Sequence, residues 1–259
     1  YELASCLVGS EMCIRDSPVT DPPVAAILRP LSDQSQPGST MNVTDAMYAR
    51  KTIRNFLDTP VSNEVIAELL TKAARAPSGG NVQPWRVYVL NGGAMTRFRA
   101  HVESRASVRE TPEYAVYPPS LKEPYRSSRF KVGEDMYGLL GIPREDKPAR
   151  FEHLARNYDF FGAPASIFCF VDRIMGPPQW SDLGMFLQSF MLLAQEASLD
   201  TCPQEAWASK PETVSTFVDA PEELMLFCGV AIGHANLEAP VNSLESDREP
   251  LSSFATFVA

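Results

Sequence analysis

Hydrophobic positions along this chain follow two different periods. Val65, Ile66, Leu69, Leu70 and Ala73 recur at helical spacing, which predicts a helix capped by Ser62 and ended by Pro77. Leu183, Phe186, Leu187, Phe190, Met191, Ala194 and Ala197 repeat that pattern over a longer stretch. Apolar over much of its girth, this stretch predicts a central core helix with Ser181 as cap. Unbroken apolar runs at 87–90, 166–171 and 224–233 read as buried strands. Weaker patterns predict helices at 45–49 behind Thr44, at 95–108 behind Gly92 and Gly93, and at 150–157. The stretch 111–147 begins loop-like, with Pro112, Pro118, Pro119 and Pro124, and carries Tyr114, Tyr117, Tyr125, Phe130 and Tyr137. A long aromatic loop of this kind is expected to form a lid. Beyond His234 periodicity fades, and the tail is expected to run extended over a partner subunit.

Composition narrows the class. Of 259 residues, 44% are hydrophobic and 21% charged, the balance of a globular protein with a sizeable core. A net charge of -9 argues against broad nucleic-acid binding. No apolar run is long enough to span a membrane, so no membrane partner is expected. Cys169, Cys202 and Cys228 lie in apolar segments, which fits reduced thiols in the cytoplasm. They show no clip spacing, and His101, His153 and His234 are scattered, so no metal is expected. Residues 1–40 are expected to be a disordered arm, rich in Pro, Ser and Gln from 18 onward. The string at 6–17 resembles translated sequencing-adapter read-through, so 1–17 are read as non-native. Their short apolar piece without a basic start makes a poor signal peptide. Residues 41–259 are expected to form one domain.

Four constellations could carry chemistry. Arg50, Lys51, Thr52 and Arg54 put cations beside a hydroxyl, which suits a phosphate monoester. A solvated helix end is the simpler reading of the same residues. Pro77, Ser78, Gly79, Gly80, Asn81 and Gln83 form a turn of small and amide side chains that suits a flat, polar-edged ligand. An ordinary helix-to-strand connection has the same composition. Thr201, Cys202, Pro203, Gln204 and Glu205 form a loop that could present backbone N–H groups to one face of a cofactor. Cys202 there reads as a small hydrophobe rather than a nucleophile. Arg248 could hold an anion, or be a plain surface charge. Asp182 reads as a helix cap or first-turn anion. No Gly-x-Gly-x-x-Gly follows a strand, so a Rossmann dinucleotide site is not indicated.

The order of these pieces resembles the FMN-dependent nitroreductase family, in its nitrobenzoate-reductase-like branch. Asn157, Tyr158, Phe160, Phe161, Gly162, Ala163 and Pro164 strengthen the likeness. So do Trp180 with Asp182 to Phe186, and Ala239 to Asn242. The resemblance implies an α+β fold, with a central, mostly antiparallel mixed sheet wrapped by helices, in an intertwined homodimer with FMN at the subunit interface. It implies that Arg50, Lys51, Thr52, Arg54 and Arg248 hold the phosphate, ribityl chain and pyrimidine edge. Pro77, Ser78, Gly79, Asn81 and, more weakly, Gln83 would reach the partner's flavin. Pro203, Gln204 and Glu205 would lie along one face of the ring. No side chain is expected to be catalytic. Flavin N5 would carry hydride from NADH or NADPH to a small nitroaromatic or quinone-like acceptor in ping-pong fashion. Reductive dehalogenation, azoline oxidation and non-catalytic flavin binding remain open on the same scaffold. Ser198 and Asp200 replace expected glycines, and Glu245 stands where a base is expected. Arg126, Arg129 and Lys131 are candidates to compensate, or to meet a nicotinamide phosphate.

Overall fold

The computed structural model describes residues 41–258, so the expectations for 1–17 and 18–40 lie outside the described residues. The first helix, α1 (Val43–Ala49), is capped by Asn42 rather than Thr44, because the Asn42 Oδ1 accepts from Asp45 N at 3.0 Å. Ser62 caps α2 (Asn63–Ala73) as expected, its Oγ accepting from Val65 N. Helix α2 stops at Ala73, earlier than Pro77 alone requires. The chain then tightens rather than unwinding: Ala74 keeps helical angles, and Arg75 N and Ala76 N donate to the Lys72 and Ala73 carbonyls, three residues back.

Strand β1 (Arg86–Asn91) leads into α3 (Gly93–Ser104), which ends short of the expected 108. The stretch expected to be a long lid loop contains a helix, α4 (Tyr125–Leu139), none of whose residues is buried. Its apolar residues form no core-facing stripe, which is why periodicity missed it. Polar tethers hold it instead: Arg150 of α5 (Lys147–Ala155) pairs with Glu134, and Tyr137 donates to the Arg150 carbonyl.

Four strands pair antiparallel in the order β1-β2-β4-β3, with β2 spanning Ala165–Asp172, β3 Asp200–Gln204 and β4 Leu224–Gly233. A parallel bridge between Thr52 and Thr201 makes the assembly mixed. Strands β2 and β4 are central and almost wholly buried, as their apolar runs predict. Strand β1 departs from its expected burial. It is an edge strand, and only Leu90 within it is buried. An apolar run alone does not say which strand ends a sheet.

Alternation along β2 splits the core into two layers. Ile167, Cys169 and Val171 face one side, with Ile66 and Leu69 from α2 and Leu183, Phe186 and Phe190 from α6 (Pro177–Glu196). Phe168 and Phe170 face the other, with Phe98, Phe160, Trp207 and Val214 of α7 (Pro211–Val218). Helix α6 is the expected core helix, but it starts at Pro177 behind Gly176. Ser181 therefore sits inside it and bonds back to the Pro177 and Pro178 carbonyls. A bulge interrupts the β2–β4 ladder, where Cys169 faces Cys228 but Phe170 faces Leu226. The extra residue, Phe227, turns its carbonyl to the Tyr114 hydroxyl and so pins the start of the middle segment.

The tail runs from a bridge between Phe56 and Ala235 through a 3₁₀ turn at Pro240–Ser243 to a short helix, α8 (Leu251–Phe254). Phe254, Phe257 and Val258 are exposed. No helix among the described residues is long and apolar enough to cross a membrane.

Candidate flavin site

The cationic segment is stitched into the sheet. Ile53 N donates to the Thr201 carbonyl at 3.0 Å, on the outer edge of β3. Arg54 N donates to the Asn242 Oδ1 at 2.8 Å, while the Asn242 Nδ2 donates to the Asn55 and Asn236 carbonyls. Buried Asn242 therefore fixes this segment against the tail. In the sequence Asn242 stands only as part of a motif. Its two bonds to Arg54 and Asn55, distant in the chain, are a tertiary feature.

Around this segment Thr52 bridges Thr201 of β3, with Pro203 and Gln204 further along that strand and Glu205 just beyond it, and Lys51 reaches Glu245, three residues before Arg248. The expected loop at 201–205 is mostly strand β3. Pro203 fits there because β3 is an edge strand, where a missing N–H breaks no ladder. Gln204 departs from expectation: its side chain is buried, and its Nε2 donates to the Asn157 carbonyl at 2.8 Å. Burial raises the Glu205 carboxyl above the ordinary carboxylate value. Cys202 is buried, and burial pushes its thiol up to about 12, where it is no nucleophile near neutral pH.

Charge in the group is unevenly paired. Lys51 Nζ lies 2.8 Å from the Glu245 Oε1. Arg248 curls onto its own segment, donating to the Ser246 carbonyl and hydroxyl and to the Asp247 carbonyl. Burial first, and Arg248 second, lower the pKa of Arg50. The charge of Arg248 thus opposes that of Arg50, and among the described residues neither guanidinium forms an ion pair with a carboxylate. An anion placed between them would relieve their repulsion and accept their donors, which fits a phosphate monoester.

Pro77, Ser78, Gly79, Asn81 and Gln83 are not gathered into this group. Their turn is a 3₁₀ element, Gly79–Asn81, with left-handed backbone at Gly80, Asn81 and Gln83. Ser78 Oγ accepts from Gln83 N at 3.0 Å and closes the turn. Asp182 holds it onto α6: Gly79 N donates to both carboxylate oxygens, at 3.4 and 3.3 Å. Asp182 is buried in the second turn of α6, so it is neither the cap nor the first-turn anion expected. Among the described residues no hydrogen bond or ion pair joins this turn to Arg50–Arg54 or to β3. Asp182→Ala would leave the Gly79 N–H without its partner, at a cost of about 1–3 kcal/mol. The expected result is a lower unfolding midpoint and faster protease nicking at the turn. Unchanged nicking would show that Asp182 does not hold it.

Ser198 explains its own departure from glycine. It sits at φ 57°, a left-handed conformation that costs a non-glycine residue roughly 1 kcal/mol. Ser198→Gly should therefore raise the midpoint of chemical denaturation without changing the slope; a lowered midpoint would contradict it. Asp200 is engaged structurally, accepting from Ala235 N at 2.9 Å and from the Gln195 amide at 3.1 Å.

A cavity of about 900 Å³ lies between α4 and residues 246–249, lined in part by Tyr117, Arg129, Lys131, Asp135 and Arg248. Arg126 is paired with Glu123, and Lys131 with Asp135 and Asp247. Arg129 instead lies over the Tyr117 ring at 4.1 Å. No cluster of His, Cys, Asp and Glu able to hold a metal occurs among the described residues.

Residues 47–234 match the model of the Nitroreductase family. The chain belongs to the nitroreductase family. This nitroreductase is 36% identical over 220 residues to the nitrobenzene nitroreductase of Ectopseudomonas oleovorans, covering 83% of this chain and 96% of that protein. It is 35% identical to the 4-nitrobenzoate reductase of Pseudomonas putida, covering 83% of this chain and 95% of that one. The crystal structure of the FMN and NADPH-dependent nitroreductase NfnB from sphigopyxis sp. strain HMH superimposes with a TM-score of 0.82 at 42% identity. The match covers 85% of this chain and all (100%) of that chain. The α+β fold implied by the resemblance is the one observed.

Proposed function

We propose that this nitroreductase is an FMN-dependent NAD(P)H oxidoreductase that reduces nitroaromatic or quinone-like acceptors by ping-pong hydride transfer. The observation that carries the reading is the cationic segment itself, bonded to β3 through Ile53 and to the tail through Arg54 and Lys51, with Arg50 and Arg248 outside any ion pair among the described residues. Bound FMN would supply the redox chemistry, taking hydride from NADH or NADPH and passing it to the acceptor.

The protein's own residues would bind and orient. Arg50 and Arg248 receive the phosphate. Thr52 and Arg54 reach the ribityl chain and pyrimidine edge. The backbone at Pro203, Gln204 and Glu205 lies along the ring, where oriented donors favour added negative charge. Pro77, Ser78, Gly79, Asn81 and Gln83 serve the flavin of a second copy. Two observations support that homodimer. Among the described residues no hydrogen bond or ion pair joins the turn to the cationic segment within one chain, and α1 and the tail leave Val43, Met47, Tyr48, Phe254 and Phe257 exposed. The aromatic stretch around α4 covers the acceptor as a helical lid rather than a loop. Three buried cysteines, none in a disulfide, support a cytoplasmic setting.

Purified protein should be yellow, release FMN on denaturation, and consume NAD(P)H steadily when given a nitroarene, with nitroso and hydroxylamine products. A colourless protein that cannot be reconstituted with FMN would defeat the reading. Flavin without steady turnover would leave a binding protein only.

A further inference from the structure

The tail segment 245–249 treats the nearby cations unequally. Glu245 pairs with Lys51 at 2.8 Å, and Asp247 pairs with Lys131 of α4 at 2.9 Å. Both lysines are neutralised by acids of the tail, while Arg50 and Arg248 form no ion pair with a carboxylate among the described residues. We infer that Glu245 is a built-in competitor for the flavin phosphate, an acid that occupies Lys51 and lowers affinity for phosphate-bearing flavins in particular. The inference rests on the reading that Arg50 and Arg248 receive the phosphate of FMN.

The competition follows from charge. The Lys51–Glu245 pair joins the two segments that carry the arginines: Lys51 follows Arg50, and Glu245 lies three residues before Arg248, so the Lys51 ammonium is shared between Glu245 and an anion bound there. If Lys51 turns to the phosphate, Glu245 is left as an unpaired carboxylate beside a dianion. If Lys51 stays, the phosphate loses one donor. Either way the acid opposes the anion. The Glu245 side chain is 78% exposed and that of Lys51 35%, so solvent screens the effect and salt weakens it. The pair holds Glu245 below the ordinary carboxylate range, so the acid is charged at neutral pH. The consequence is a flavin that exchanges with solution more readily than the arginine pair alone would permit.

The test uses the full chain stripped of flavin and titrated with FMN or riboflavin, read by flavin fluorescence. Glu245→Gln should tighten FMN about two- to fivefold at low salt, the size expected of one exposed ion pair. The gain should shrink at high salt and leave riboflavin, which has no phosphate, unchanged. In a Lys51→Met background the same substitution should change FMN affinity much less. Glu249→Gln, on the same segment, controls for loss of one acid and should have the smaller effect. The inference is overturned if Glu245→Gln leaves FMN affinity unchanged, weakens it, or tightens both flavins alike. Failure of wild type and every variant to bind either flavin would instead bring down the flavin reading itself, and this inference with it.

Discussion

Arg50→Ala should lose FMN by about ten- to hundredfold in affinity, the range of a charge-assisted hydrogen bond to phosphate. The flavin-free protein should keep its stability. In the absence of an anion Arg50 gains nothing from a carboxylate partner, and burial and Arg248 both oppose its charge. Removing it relieves one repulsion and deletes no ion pair among the described residues. The two halves of the result therefore move apart: flavin retention falls while the unfolding midpoint of the flavin-free protein holds or rises slightly. Flavin-to-protein ratio after gel filtration measures the first, and thermal unfolding without flavin the second. Wild-type flavin content in this variant would remove Arg50 from the site. A collapse of both quantities would mean that Arg50 supports the fold.

Gly229→Ala should be the most damaging small substitution in the core. Gly229 lies in central strand β4, and an added Cβ would meet Trp207 Cδ1 at 2.5 Å, Trp207 Nε1 at 3.0 Å and Phe168 Cε1 at 3.2 Å. Trp207 cannot yield, because it is fully buried and packed by Phe160 at 4.8 Å and by Phe168 at 5.2 Å between ring centroids. Overpacking of such a site costs about 3 kcal/mol, or roughly 6–12 °C in unfolding midpoint for a domain of this size. Gly138 is the control. An added Cβ there meets nothing within 4 Å, on exposed helix α4. Gly138→Ala should therefore be neutral or stabilising by up to about 1 kcal/mol. A Gly229→Ala protein that unfolds within about 2 °C of wild type would show that the indole moves freely.

The core helix, the two central strands, the Ser62 cap and the cationic segment are determined by sequence alone. Each rests on short-range rules: the periodicity of burial, the hydroxyl of a capping residue, the clustering of like charge. The buried Cys202 belongs with them, since its apolar neighbours already name its environment. The motif order also gave the family, because several short patterns in fixed succession are far more specific than any one of them.

Only the tertiary structure decided the rest, because the deciding contacts join residues distant in the chain. Strand β1 is an edge because, among the described residues, it pairs with β2 on one side and with no strand on the other. Helix α4 is held by Glu134 and Arg150 rather than by an apolar stripe, so periodicity had nothing to read. Asp182 serves Gly79, and Gln204 turns inward to Asn157, through hydrogen bonds that no local pattern encodes. The polar turn at 77–83 and the cations at 50–54 are equally visible in the sequence. Where each is fastened is not, because Asp182 ties the turn to α6 while Asn242 ties the cations to the tail.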